Sequence, residues 1–201
     1  SPFVAQVMAA AERLSAEDEP YHRAPITYEA PYLDNLPTAP REKFAANIAA
    51  IQKLKEIEQR VANGGSPAFE DEQKILAQYT GWGGLSDAFD PNKSAWSNEY
   101  SQLKAALSES EYEAARSSTL TAFYTPATVI HPIYRALERF GVKGGKILEP
   151  SMGTGAFLAH GHFGSSDAKF YGVELDSITG RISKQLYQKA NIQVTGYENE
   201  I

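Results

Sequence analysis

The chain contains no cysteine among its 201 residues. This absence excludes disulfide bonds, zinc sites with cysteine ligands and thiol nucleophiles. It agrees with a reducing compartment, and we expect the protein to be cytoplasmic.

Long apolar runs are also missing. The longest uncharged stretch near the start, residues 1–11, contains Gln6 and has no basic flank. It is therefore typical of neither a secretory signal nor a membrane span, and we expect no membrane partner.

The chain has no excess of positive charge. Its 19 basic and 25 acidic residues give a formal charge of −6. Dividing it at Thr125 leaves 11 basic and 18 acidic residues before that point and 8 and 7 after it. These totals reveal no basic nucleic-acid-binding face.

The hydrophobic content of the chain suffices for a packed core, since 42% of the residues are hydrophobic and 11% are aromatic.

The first 42 residues are rich in proline, with five prolines between residues 15 and 42, and we predict an extended arm there. Because the chain begins with Ser1 and ends after a strand-like run, we expect a piece of a longer polypeptide.

Residues 43–122 are predicted to form a helical region. Apolar residues recur at steps of three or four along the first helix, which should end at Gly64: Phe44, Ile48, Ile51, Leu54, Ile57 and Val61. Ser66-Pro67 predicts the start of a second helix that runs to about Tyr79. Ser108 and Glu111 resemble a capping box.

Residues 123–201 alternate between helices and strands. A helix is predicted from Thr125-Pro126 to about Phe140, closed by Gly141, and strands are predicted at "KILE", "KFYGVE" and "NIQV". This alternation favours an α/β fold, the first half of a Rossmann-like sheet with three parallel strands and flanking helices.

The stretch "KILEPSMGTGAFL" indicates a ligand site at the end of the first strand. Gly153 and Gly155 suit a tight turn with positive φ, and Glu174 ends the next strand 19 residues after Gly155. A carboxylate there can accept hydrogen bonds from both ribose hydroxyls, so the pattern predicts an adenosine-binding half-site.

Several ligand classes share such a half-site. A dinucleotide motif would have a third glycine where Leu158 stands, and Glu149 would repel a pyrophosphate but attract an ammonium group. This favours S-adenosylmethionine over NAD. A nicotinamide-dependent oxidoreductase that binds NAD is a third hypothesis. The stretch "GVKGGK" has the wrong spacing for a phosphate loop. The alternative to a cofactor site is that the glycine turn only connects a strand to a helix and binds no ligand.

The chain resembles the γ-type adenine-specific DNA methyltransferases. The similarity is carried by "FYTPATVI", "ILEPSMGTGAF" and "YGVELDSITGRI". Over residues 41–201 the chain more specifically resembles the methylase region of very large proteins of conjugative elements and phages, which also carry helicase-like domains.

The resemblance implies a role for each matching residue. Thr125 would hold the methionine carboxylate, Glu174 would bind the ribose, and Leu175 would lie against the adenine. Four further positions would surround the methionine and ribose: Glu149, Ser151, Gly153 and Gly155. Glu198 would meet the adenine amine. No catalytic residue is implied, because the Asn/Asp-Pro-Pro-aromatic motif is absent from this chain.

Two hypotheses about function follow from the resemblance. In the first, the chain is the cofactor-binding portion of a DNA adenine methyltransferase that uses S-adenosylmethionine, inactive alone. In the second, it is a non-catalytic DNA-handling or scaffolding module of a helicase-containing mobile-element protein. The implied partners are DNA and helicase-like domains of the same polypeptide. Because the fourth strand is missing, we also expect either self-association at the exposed edge of "KILE" or an edge covered by the proline-rich arm.

One tryptophan and two histidines are predicted to have no role in ligand binding. Trp82 is predicted to be a buried anchor of the helical region. His160 and His162 are predicted to be surface residues and not metal ligands, because further ligands are lacking nearby.

Overall fold

The computed structural model describes Ile26 and residues 36–122, 124–161 and 168–197. It divides into two compact units, one of residues Pro31–Tyr124 and one that joins Ser1–Ala30 to Thr125–Ile201. Most of the predicted arm, residues 1–42, lies outside the described residues, and the first helix already begins at Pro40.

The first unit is helical, as predicted. Its four α-helices are α1 (Pro40–Ala62), α2 (Glu70–Leu76), α3 (Ser97–Ala106) and α4 (Glu109–Ser118), and short 3-10 turns lie at Ser86–Phe89 and Ser94–Trp96.

The predicted stripe of α1 forms the centre of this unit. Five of its members are buried, and Val61 is half-buried: Phe44, Ile48, Ile51, Leu54 and Ile57. Gly64 follows the helix with φ +81°, the left-handed conformation predicted for it. Trp82 is 1% exposed, and its ring packs against the rings of Phe89, Tyr79 and Phe44. The prediction of a buried anchor is confirmed.

The second helix starts later than predicted. Instead of beginning at Ser66-Pro67, α2 begins at Glu70, because the carboxylate of Glu72 accepts the backbone N–H of Phe69 at 2.9 Å and caps the helix there. It ends at Leu76 and not near Tyr79. The capping box of α4 is confirmed by the Glu111 N–H, which donates to Ser108 Oγ at 3.2 Å.

The second unit is α/β. Its elements in chain order are α5 (Ala127–Arg139), β1 (Gly145–Glu149), α6 (Ala156–Ala159), β2 (Ala168–Glu174), α7 (Ser177–Leu186) and β3 (Asn191–Val194). The three strands are parallel in the order β1-β2-β3, so β1 is an edge of the described sheet. The predicted fold class is confirmed, while self-association at that edge stays a prediction.

Helices cover both faces of this sheet. On one face Ile130 and Tyr134 of α5 pack with Ile147 and Phe170 of the strands. Tyr171 is buried and, as the next residue along β2, points to the opposite face. Helix α7 packs against β2 and β3, with Ile178, Ile182 and Leu186 buried.

None of the helices in the described ranges combines the length and apolar character needed to cross a membrane.

Candidate nucleoside-binding site

The predicted site residues gather at the carboxyl edge of the sheet. Strand β1 ends at Glu149 and β2 ends at Glu174, and parallel strands end at the same edge. The chain turns through residues 150–155 between β1 and α6. In parallel α/β sheets this edge is where ligands bind.

Glu174 holds the glycine turn in place. Its Oε2 accepts the backbone N–H of Gly153 at 2.8 Å, and its Oε1 accepts the backbone N–H of Asp176 at 2.8 Å. The backbone N–H of Leu175 also acts on this carboxylate. Because an ionised carboxylate can accept about four hydrogen bonds, Glu174 keeps capacity for a further donor. The structure thus brings Glu174 and Gly153 together, as the sequence predicted.

Burial governs the ionisation of Glu174. It raises the pKa of the carboxyl group above its usual range, while the N–H groups of Asp176 and Gly153 act in the opposite direction. A ligand hydroxyl that donates to this carboxylate would favour its charged form.

Both glycines have the predicted conformation, with φ +55° at Gly153 and +79° at Gly155. Position 155 also requires a glycine for steric reasons, because a Cβ there would lie 2.2 Å from Cε2 of Tyr187. Ser183 Oγ donates to the carbonyl of Gly153 at 3.0 Å.

Sequence reasoning missed Ser183 and Tyr187 as parts of the site. They lie 28 or more residues after the turn, so no local motif connects them to it. The one available signal was Ser183 itself, a small polar residue next to the apolar stripe of α7.

Glu149 is half-buried at the end of β1, and burial raises the pKa of its carboxyl group. Burial, with a smaller effect from the charge of Glu149, raises the pKa of Tyr134 to about 12. The Tyr134 hydroxyl donates to the carbonyl of Phe157 at 2.6 Å. A cation at this edge would therefore meet a carboxylate that water solvates poorly.

The other predicted residues are more exposed. Thr125, which precedes α5, and Ser151 in the turn both face solvent, and Leu175 is 74% exposed directly after Glu174. Glu198 lies outside the described residues.

The prediction for His160 is wrong, since its side chain is buried. Its Nδ1 lies 3.0 Å from Nε2 of His131 because the end of α6 packs against α5. His162 lies outside the described residues. In the ranges that the structure describes, no group of three or more histidine, aspartate or glutamate side chains could hold a metal ion.

Comparison with curated proteins finds a relative, Defense against restriction protein B of Escherichia phage P1. It is 27% identical to this chain over 177 residues, which cover 88% of this chain and 6% of the relative. The chain thus spans 6% of the length of the relative it matches. No protein family model matches the chain, and no solved structure matches it.

This relative corrects the functional expectation. It is a phage protein named for defence against restriction and not for DNA methylation. The expected membership of the adenine-specific DNA methyltransferases, and the function inferred from it, are therefore wrong. The glycine turn and the acidic strand end misled because such a motif is compatible with many functions and carries no information about a reaction.

Proposed function

We propose that the α/β unit binds S-adenosylmethionine at the carboxyl edge of its sheet and contributes this site to a protein that acts in defence against restriction. The observation that carries the proposal is the Glu174 carboxylate, fixed at the end of β2 by the N–H groups of Gly153 and Asp176. It is already oriented before any ligand arrives.

The ligand's functional groups match the available side chains. The remaining acceptor capacity of Glu174 can bind a ribose hydroxyl. Glu149 supplies a half-buried negative charge for the ammonium group of the methionine part. Leu175 is an exposed apolar side chain beside Glu174 and offers a surface for the adenine ring.

NAD is the contrasting ligand. Its pyrophosphate would meet the half-buried Glu149 carboxylate at the end of β1, and like charges in a poorly solvated site repel strongly. We expect binding of S-adenosylmethionine and not of NAD.

Calorimetric titration of the chain with each ligand tests the proposal. Glu174→Gln keeps the shape of the side chain but removes its charge, and it should weaken S-adenosylmethionine binding about tenfold or more. Leu175→Ser should weaken it less and leave the fold intact, because the side chain is exposed. Glu138→Gln is the matched control, an exposed acid of the same unit.

Equal affinities of the three variants would contradict the assigned site. Absence of S-adenosylmethionine binding by a folded wild-type chain would contradict the proposal itself. Circular dichroism of each variant separates loss of the ligand contact from loss of the fold.

Two finer expectations stay predictions: the helicase-like domains as partners, and the cytoplasmic location.

A further inference from the structure

Ile26 of the proline-rich arm contacts the loop that follows α7. The backbone N–H of Ile26 donates to Gln188 Oε1 at 3.1 Å, and the backbone N–H of Gln188 donates to the carbonyl of Ile26 at 3.1 Å. The two residues are 162 positions apart in the chain, and both are half-buried. Both belong to the α/β unit, which joins Ser1–Ala30 to Thr125–Ile201. This reciprocal pair is therefore a specific long-range contact within one compact unit.

The side chain of Gln188 is oriented for this contact. Its Nε2 donates to the carbonyl of Gln185 at 3.1 Å, so the nitrogen end of the amide meets an acceptor and the oxygen end meets the Ile26 donor. The reverse orientation would place a donor against a donor and an acceptor against an acceptor. Both ends of the Gln188 amide thus have complementary partners.

The contact with Ile26 coincides with the end of α7, which the local sequence does not explain. The stretch "YQKA" between α7 and β3 contains three good helix formers and neither glycine nor proline. In a continuing helix the Gln188 N–H would donate to the carbonyl of Lys184, but it donates to the carbonyl of Ile26 instead. We attribute the end of the helix to this competing acceptor.

The ligand site meets α7 at the same point. Tyr187 directly precedes Gln188, is 1% exposed, and its ring occupies the space that a Cβ of Gly155 would need. The backbone of Tyr187 has φ −116° and ψ 62°, outside the helical region. A change of φ to the helical value of about −63° would rotate its Cβ about the N–Cα bond and move the ring relative to Gly155.

We propose that Ile26 and Gln188 are positioning residues of the ligand site. By ending α7 at Leu186 they set the backbone of Tyr187, whose ring in turn supports the glycine turn that carries the Gly153 N–H. The inference rests on the proposed function for the identity of the ligand, S-adenosylmethionine. Without the Ile26 contact the turn must be ordered when the ligand binds, and that ordering lowers the affinity.

A contact that only stabilises the fold is the alternative interpretation. Such a contact would change the free energy of unfolding but leave the conformation of Tyr187 and the protection of the turn as they are. The test therefore measures conformation directly.

Nuclear magnetic resonance of the whole chain without ligand makes that measurement. Gln188→Leu removes the acceptor for the Ile26 N–H. The chemical shift of the Tyr187 Cα should move toward its helical value. Amide exchange at Gly155, whose N–H donates to the carbonyl of Met152 at 2.9 Å, should accelerate about threefold or more. An unchanged shift together with unchanged exchange in the folded variant would overturn the proposal.

Calorimetric titration with S-adenosylmethionine tests the effect on the site. Gln188→Leu should weaken binding about threefold or more, whereas Gln52→Leu, the matched change at an exposed glutamine of the helical unit, should not. Tyr187→Leu should also weaken binding. In the double variant Gln188→Leu should add little, because both changes act through the same ring. Losses that add fully would overturn a route through Tyr187.

The measurements without ligand separate this proposal from the proposed function. If the folded wild-type chain does not bind S-adenosylmethionine, the proposed function fails, but the Tyr187 shift and the Gly155 exchange still decide whether the Ile26 contact positions the turn. If the wild-type chain binds S-adenosylmethionine and Gln188→Leu binds it equally well, the positioning role fails and the proposed function stands.

Discussion

At the scale of single residues, Gly155 connects the site to the core of the α/β unit. Its φ of +79° is one that side chains rarely adopt, and Tyr187 fills the space that a Cβ would need. Gly141 has a similar φ of +84° but no atom within 4 Å of its hypothetical Cβ. A comparison of substitutions at these two glycines therefore distinguishes the cost of backbone strain from the cost of steric overlap.

We predict that Gly155→Ala lowers the free energy of unfolding by about 2–4 kcal/mol, because strain and overpacking add. The matched change Gly141→Ala should cost about 1–2 kcal/mol, from strain alone. Thermal unfolding followed by circular dichroism measures both. Equal costs at the two positions would show that the Tyr187 ring moves aside freely.

At the scale of elements, one carboxylate joins α1 to α2. Glu72 accepts two hydrogen bonds from the Arg60 guanidinium, at 2.8 and 2.6 Å, besides the Phe69 N–H that caps α2. The hydrogen bonds from Arg60 are the main reason why the pKa of Glu72 lies below its ordinary value. Burial of the carboxylate opposes that shift.

We predict that Glu72→Gln destabilises the helical unit by about 1–3 kcal/mol at neutral pH. Because the folded pKa of Glu72 is lowered, its stabilisation is present above the unfolded value of about 4.3 and is lost as the pH falls through the folded pKa. Urea unfolding should therefore show a difference between variant and wild type that shrinks in acid. A difference independent of pH would assign the effect to packing.

The same elements show what sequence patterns can predict. The stripe of α1 and the Ser108 capping box were correct because they depend on neighbours three or four residues away. The start of α2 was wrong, since Ser66-Pro67 is a good local signal, but the Arg60–Glu72 pair fixes the helix start at Glu70. His160 was wrong for a similar reason, because its burial depends on α5.

The same difference between local signals and contacts between distant elements applies to the site. Positive φ at the glycines and the carboxylate at a strand end are local properties, and the sequence predicted both correctly. The contributions of Ser183 and Tyr187 arise from the packing of α7 on the sheet, which no motif encodes. Function was the least predictable level, because the motif describes a type of pocket and not its use.

At the scale of the whole molecule, the two units contain different spectroscopic reporters. Both tryptophans, Trp82 and Trp96, belong to the helical unit, whereas the proposed ligand site belongs to the α/β unit. Tryptophan emission therefore reports unfolding of the helical unit, and amide hydrogen exchange of β2 reports the α/β unit.

We predict that S-adenosylmethionine at about 100 times its dissociation constant stabilises the α/β unit by about 2.7 kcal/mol, since it binds the folded state alone. Exchange at Val173 and Gly153 should slow, because ligand contacts with Glu174 restrain the turn that Gly153 N–H anchors. The urea midpoint measured by tryptophan emission should stay unchanged if the two units unfold separately. A parallel shift of the emission midpoint would instead show that the units unfold as one cooperative body, and ligand binding at the sheet would then stabilise every helix of the chain.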